Sequence, residues 1–292
     1  MLSLHPDKTQ FIVFSNSNIV KNKEINLFID MNNENENNPS FIKKIKRISS
    51  HSDFPAIQFL GVLFDPDLNF KMQIRHVSSK ISKSLYILRS VKNILSEKAL
   101  KTPYYSLVHC HLVYGIHIWS STTVGNLNDL KVKQKNAIRT ITLSKYNAHT
   151  LPLFKKLKIL PLDNLIYFFK LQFMSKYVHG LLPVSFNNVW VKREEWRAET
   201  FSLTLRNSEN FYIPTPLLAQ TERHPYFLFP KLWSDFSNND IKIIRNHIEF
   251  NVALKNDMLK ELPENVNCTR LFCHCCSNIP AVNEIVGAVE PP

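Results

Sequence analysis

The densest run of ligand-type residues is Cys268-x4-Cys273-His274-Cys275-Cys276. Structural zinc takes four ligands in a tetrahedron, normally from two separated pairs. The candidate ligands are Cys268, Cys273, His274 and Cys276. Three consecutive ligand-type residues cannot all converge on one ion, no second Cys or His pair follows, and the nearest upstream histidine is His247. A small-residue cluster without metal is the simpler reading. His109-Cys110-His111 falls on an expected helix, where consecutive side chains point apart, so it fails as a chelate and as a Cys–His dyad. Asp65 and Asp67 could share a cation, but with Pro66 between them they read as a strand-to-helix turn. There is no Gly-x-Ser-x-Gly elbow. The five glycines (61, 115, 125, 180 and 287) are too scattered for a dinucleotide fingerprint or a P-loop, both of which cluster glycines so that backbone can approach phosphate.

The elements that would position chemistry follow from periodicity, and the fold class they predict is α+β. Phe11–Phe14, Ile25–Ile29 and Ile57–Phe64 read as strands, the last closed by Asp65-Pro66-Asp67. The Asn-rich stretch 31–40 reads as a disordered loop, and a basic patch follows it at Lys43, Lys44, Lys46 and Arg47. Ile74, Val77, Ile81, Leu85, Leu88, Val91 and Leu95 recur at spacings of three and four and predict a long helix with Lys71, Arg75, Lys80, Lys83, Arg89 and Lys92 off the stripe. Further helices are expected at 97–119 after a Ser96 cap, at 127–143, near 153–157, and from Pro161 to a Gly180 terminator. On the 127–143 helix, Lys131, Lys135 and Arg139 are spaced four apart as a basic ridge. Beyond Pro183 the pattern weakens. Trp190, Trp196 and Trp233 could anchor a satellite core, 241–259 reads as helix, and 281–292 as a frayed tail. The domain boundaries expected on this basis are 1–65, 66–183 and 184–292.

With 44% hydrophobic residues the 292-residue chain can bury a core, so wholesale disorder is excluded. The net charge of +12 is unevenly spread. Residues 41–180 carry 22 basic against 6 acidic residues, while the flanks 1–40 and 181–292 are each slightly acidic. A concentrated positive excess of this kind is the electrostatic footprint of a nucleic-acid binder, or else a solubilising surface. Five cysteines, an odd number with four crowded between 268 and 276, do not read as a secreted disulfide framework. No leader opens the chain. The uncharged stretch between Lys101 and Asp129 contains Pro103 and three histidines and reads as a buried helix rather than a membrane span. The expected setting is reduced and intracellular, nucleus or cytoplasm.

Several marks then align in order. Leu2-Ser3-Leu4-His5-Pro6-Asp7-Lys8-Thr9 resembles the stretch "L-x-L-N-P-x-K-T" that follows the catalytic carboxylates in reverse transcriptases of non-LTR (LINE-type, jockey-like) retrotransposons. Phe59-Leu60-Gly61-Val62-Leu63-Phe64-Asp65 resembles the family's "F-L-G-V-x-x-D" primer-grip hairpin, with Leu68 and Phe70 and then a long helix after it. Tyr114-Gly115 with Trp119, Gln134-Lys135 with Arg139, Leu153-Phe154 with Leu157, and Gly180 with Leu182-Pro183 resemble the thumb and connection. The cysteine cluster after Arg270-Leu271-Phe272 resembles the family's cysteine-rich end in degenerate form. The resemblance spans about residues 2–186.

The resemblance implies an antiparallel palm-edge sheet over 1–65, a basic helical thumb over 66–183, and a C-terminal region over 184–292. Lys8 would match the lysine near the leaving pyrophosphate, and Leu60, Gly61 and Val62 the primer grip. Arg75, Lys80, Lys83, Lys131, Lys135 and Arg139 would contact template–primer phosphates, so RNA and DNA are the implied partners. The family's F/Y-x-D-D carboxylates, which hold two Mg²⁺ ions for phosphoryl transfer, do not occur in this sequence and would precede Met1. His5 replaces the family's Asn, and the Asn-rich loop looks inserted. The expectation is a truncated RNA-directed DNA polymerase that keeps nucleic-acid affinity, lacks catalysis and holds no cofactor, although the full-length family uses Mg²⁺. The alternatives are a domesticated RNA- or DNA-binding module and an inert retroelement remnant.

Overall fold

A computed structural model describes residues 5, 8–15, 23–30, 42–49, 52, 55–193, 195, 210–215 and 219–262. The Asn-rich stretch, Trp196, the candidate ligands Cys268, Cys273, His274 and Cys276, and the 281–292 tail lie outside the described residues. The architecture is mixed α and β, with the strands first and the helices after. It divides into two compact units, Met1–Val77 with Thr122–Leu127, and Ser78–Ser121 with Asn128–Pro292.

Among the described residues the first unit holds three two-stranded sheets. β1 (Gln10–Ile12), β2 (Phe28–Asp30), β3 (Ile42–Lys44) and β4 (Lys46–Ile48) are all short. β2 pairs antiparallel with β3, whereas β1 pairs parallel with β4, in register Gln10↔Lys46 to Ile12↔Ile48. The parallel pair departs from the wholly antiparallel sheet that was expected. The basic patch is itself strand, in β3 and β4. The chain breaks at Ile45, which is buried, and the segments on either side take different partners. β5 (Ile57–Phe59) and β6 (Val62–Phe64) form an antiparallel hairpin over a two-residue turn. Leu60 and Gly61 have φ of 46° and 80°, the left-handed pair that a tight hairpin with right-twisted strands requires.

α1 (Lys71–Val91) follows the hairpin. Its first turn is tied to the strands through buried Gln73, whose Oε1 accepts the Leu63 N–H at 2.9 Å. Asp65 and Asp67 form the expected turn: the Asp65 carbonyl accepts from the Leu68 N–H, and Oδ1 accepts from the Asn69 N–H at 2.9 Å. Thr122 Oγ1 donates to the Asn69 carbonyl, which places Thr122–Leu127 in this unit.

The second unit is helical. α2 (Glu97–Tyr104) starts at Ser96, whose hydroxyl accepts the Ala99 N–H at 3.3 Å. The continuous helix expected over 97–119 is instead broken. Pro103 lies inside α2, and a π-helical turn at Tyr105–His109 follows that helix. Gly115, at φ 64°, then separates single turns at Cys110–Val113 and Ile116–Trp119. The Trp119 indole N–H caps the Tyr114 carbonyl that this break frees, at 2.7 Å. α3 (Val124–Ile141) begins and ends earlier than its stripe suggested, stopping where Leu143 adopts φ 51°. α4 (Thr150–Leu157) and α5 (Leu162–Val178) come next. Gly180, at φ 66°, ends α5: its N–H reaches the Tyr177 carbonyl and the Leu181 N–H the Lys176 carbonyl.

α5 is apolar on nearly every side, as a helix at the centre of a core must be. α6 (Pro225–Asp235) and α7 (His247–Glu261) pack against it. Trp190 and Trp233 are both buried in this unit, Trp190 through ring contacts with Phe173 and Tyr177. Gln134 on α3 is 1% exposed, and its Nε2 bridges the Tyr104 hydroxyl and the Leu160 carbonyl. No described helix is long and apolar enough to cross a membrane.

Candidate nucleic-acid interface

The exposed face of α1 is a basic surface. Its stripe of Ile74, Val77, Ile81, Leu85 and Leu88 is buried, so the opposite side, carrying Lys71, Arg75, Lys80, Lys83 and Arg89, is turned to solvent. The helix contains no Asp or Glu. None of Arg75, Lys80, Lys83 and Arg89 has an ion-pair or hydrogen-bond partner among the described residues. Ser82 beside Lys83 and Ser90 beside Arg89 fold their hydroxyls back onto the helix, to the Ser78 and Ile87 carbonyls. They therefore add no competing charge and little bulk.

The basic ridge on α3 is built differently. Lys131 Nζ lies 2.8 Å from Asp163 on α5, with only 20% of its side chain exposed. Arg139 Nε donates to the Ala148 carbonyl at 3.0 Å and Nη1 to Asn136. Lys135 is half-buried. The cause is helical drift: positions four apart advance by about 40° around the axis, and the row starts at the rim of the buried arc. Lys131 and Arg139 thus hold α3 to α5 and to the loop that follows α3. Beside them Lys133 pairs with Asp129 at 3.2 Å and donates to Ser78, whose hydroxyl in turn donates to Asp129. Burial alone would raise the Asp129 carboxyl, but Ser78 and the Lys133 ammonium outweigh it and hold it below its ordinary value.

The remaining sequence candidates lie apart from α1. At the hairpin tip Leu60 is 76% exposed with Gly61 beside it, while Val62 is turned into the core at 3%. Lys8 is exposed in a turn before β1, where its N–H and that of Thr9 both reach the His5 carbonyl. In the His109–His111 triplet, Cys110 Sγ donates back to the Ser106 carbonyl, and His109 Nδ1 is buried without a hydrogen-bond partner among the described residues. Burial first and then the Lys255 ammonium push His109 down to about 4. His117 sits against Phe169, Phe173 and Phe229 and is pushed down to about 4 by burial, Lys176 and Lys170.

The two-Mg²⁺ site of the full-length polymerase family needs clustered carboxylates. Among the described residues, no group of three or more His, Cys, Asp or Glu is placed to hold a metal. Burial raises the Asp65 carboxyl above its ordinary value against the backbone N–H groups that lower it, and Asp67 adds to the rise. The described residues do not fit the metal pair.

No family model, curated protein or solved structure matches the chain.

Two side chains were not singled out from the sequence. Tyr86 stands between Lys83 and Arg89 on the exposed face of α1; its spacing of three from each was the available signal. Lys170, only 5% exposed on α5, gave no signal, because a lysine in an apolar run also reads as a helix-surface residue.

Proposed function

We propose that the chain is the distal palm edge, thumb and C-terminal region of a non-LTR retrotransposon reverse transcriptase, and that it binds RNA and DNA through phosphates without synthesising DNA. The ordered motifs at 2–9, 59–65, 114–119, 134–139 and 180–183 support the ancestry. The observation that carries the binding activity is the acid-free, exposed and internally unpaired basic face of α1. Such a face has no neutralising partner of its own and attracts polyanions through release of their condensed counterions. The α3 ridge contributes less, since Lys131 and Arg139 are engaged inside the fold.

Salt-dependent binding of a primer–template duplex tests this. Every phosphate that a cation no longer neutralises lowers the slope of log K against log salt by about 0.7–0.9. Replacing Arg75, Lys80 and Lys83 with Gln reduces the slope by about two to three. The same change at the exposed Lys192, Arg245 and Lys260 leaves it within about half a unit. Equal slopes for the two triple variants would overturn the assignment of α1 as the interface.

A further inference from the structure

The charged face of α1 also carries an aromatic ring with nothing on it. Tyr86 is 75% exposed and, among the described residues, has no hydrogen-bond, ring or cation partner. Residues three and four apart are surface neighbours on a helix, so Tyr86 is flanked by Lys83 and Arg89 and by the small side chains of Ser82 and Ser90. Both serine hydroxyls are committed to backbone carbonyls, which leaves the ring standing above its neighbours with its faces open. An exposed tyrosine between two free cations on an acid-free helix matches the two requirements of single-strand recognition. Those are a π-face on which a base can stack and cations that track the adjoining phosphates.

We propose that Tyr86, with Lys83 and Arg89, is a stacking site for an unpaired nucleobase, so that α1 binds single-stranded nucleic acid as well as duplex phosphates. The proposal rests on the nucleic-acid reading of the same face and adds the ligand: one base, taken without sequence preference, because every base presents a π-face. A purely acidic protein partner would satisfy Lys83 and Arg89 but gives the open ring nothing flat to meet. Duplex phosphates alone would likewise leave Tyr86 unused.

The test compares two probes of equal length and charge with the full chain: oligodeoxythymidine, and an abasic deoxyribose-phosphate strand. The wild-type chain binds the thymidine strand tighter than the abasic one by about 5- to 150-fold, the range of one base–aromatic stack. Tyr86→Ala removes that preference and leaves the salt slope unchanged, whereas Tyr86→Phe retains it. Lys83→Gln with Arg89→Gln weakens both probes alike and lowers both slopes. A thymidine preference that survives in Tyr86→Ala, or its absence from the wild-type chain, would overturn the stacking site while leaving phosphate binding by α1 intact. Failure of the wild-type chain to bind either probe at low salt would overturn the nucleic-acid reading itself, and this site with it.

Discussion

Lys170 is the residue most at odds with its surroundings. Burial pushes its ammonium down to about 8 from an ordinary 10.5. The sign follows from proton counts: between about pH 8 and 10.5 the unfolded chain holds a proton that the folded chain has lost, so stability rises with pH across that window. At neutral pH both states are protonated and the folded state carries the full burial penalty. Replacing Lys170 with Met keeps the length of the side chain and removes the charge. It stabilises the fold at pH 7 by about 1–3 kcal/mol and abolishes the rise above pH 8, both measurable by urea unfolding at several pH values. His109 and His117, each held down to about 4, act lower on the scale. Unfolded histidines take up protons near 6.5 while the folded ones stay neutral until about 4, so their contribution is complete above 6.5 and lost as pH falls through that interval.

At the scale of elements, α1 and α3 carry similar basic rows put to different uses. The α1 cations project from the middle of a solvent face, whereas Lys131 and Arg139 begin at the rim of a buried one and bind Asp163 and the Ala148 carbonyl. Arg139→Gln therefore costs about 1–2 kcal/mol, the worth of a charged hydrogen bond to a part-buried carbonyl. Lys131→Gln costs about 0.5–1 kcal/mol as a partly exposed ion pair. Lys80→Gln and Lys83→Gln stay within about 0.5 kcal/mol of the wild-type chain. Urea midpoints of the four variants measure this, and a destabilisation equal across both helices would refute the distinction. The broken helix over 97–119 teaches a related lesson. Its apolar stripe is continuous and the helix passes through Pro103 into a π-helical turn, but Gly115 supplies a left-handed residue at little steric cost and ends it there. A hydrogen bond from the indole of Trp119 then fixes the break.

At the scale of the whole molecule, the positive excess between 41 and 180 reaches both compact units. Nothing among the described residues gathers the carboxylates for a two-metal site. On the proposed reading, the F/Y-x-D-D carboxylates that hold the metal pair do not occur in this sequence, so the purified chain is expected to incorporate no deoxynucleotides on a primed RNA template with Mg²⁺ or Mn²⁺. Incorporation that disappears on substitution within this chain would refute this. The α+β class, the long α1 helix, the Ser96 cap, the Gly180 terminator and the Asp65 turn were all legible in the sequence. Each rests on local periodicity or on the chemistry of neighbouring residues. The cationic character of α1 was legible for the same reason, because a stripe at spacings of three and four places every off-stripe lysine on the far side. The tertiary structure alone decided the rest. It set the parallel pairing of β1 with β4, the division of the basic patch between two strands, and the burial of Lys170. It also separated the lysines that pin helices together from those left free, since those outcomes depend on which distant residue arrives within a few ångströms, and no local pattern encodes that distance.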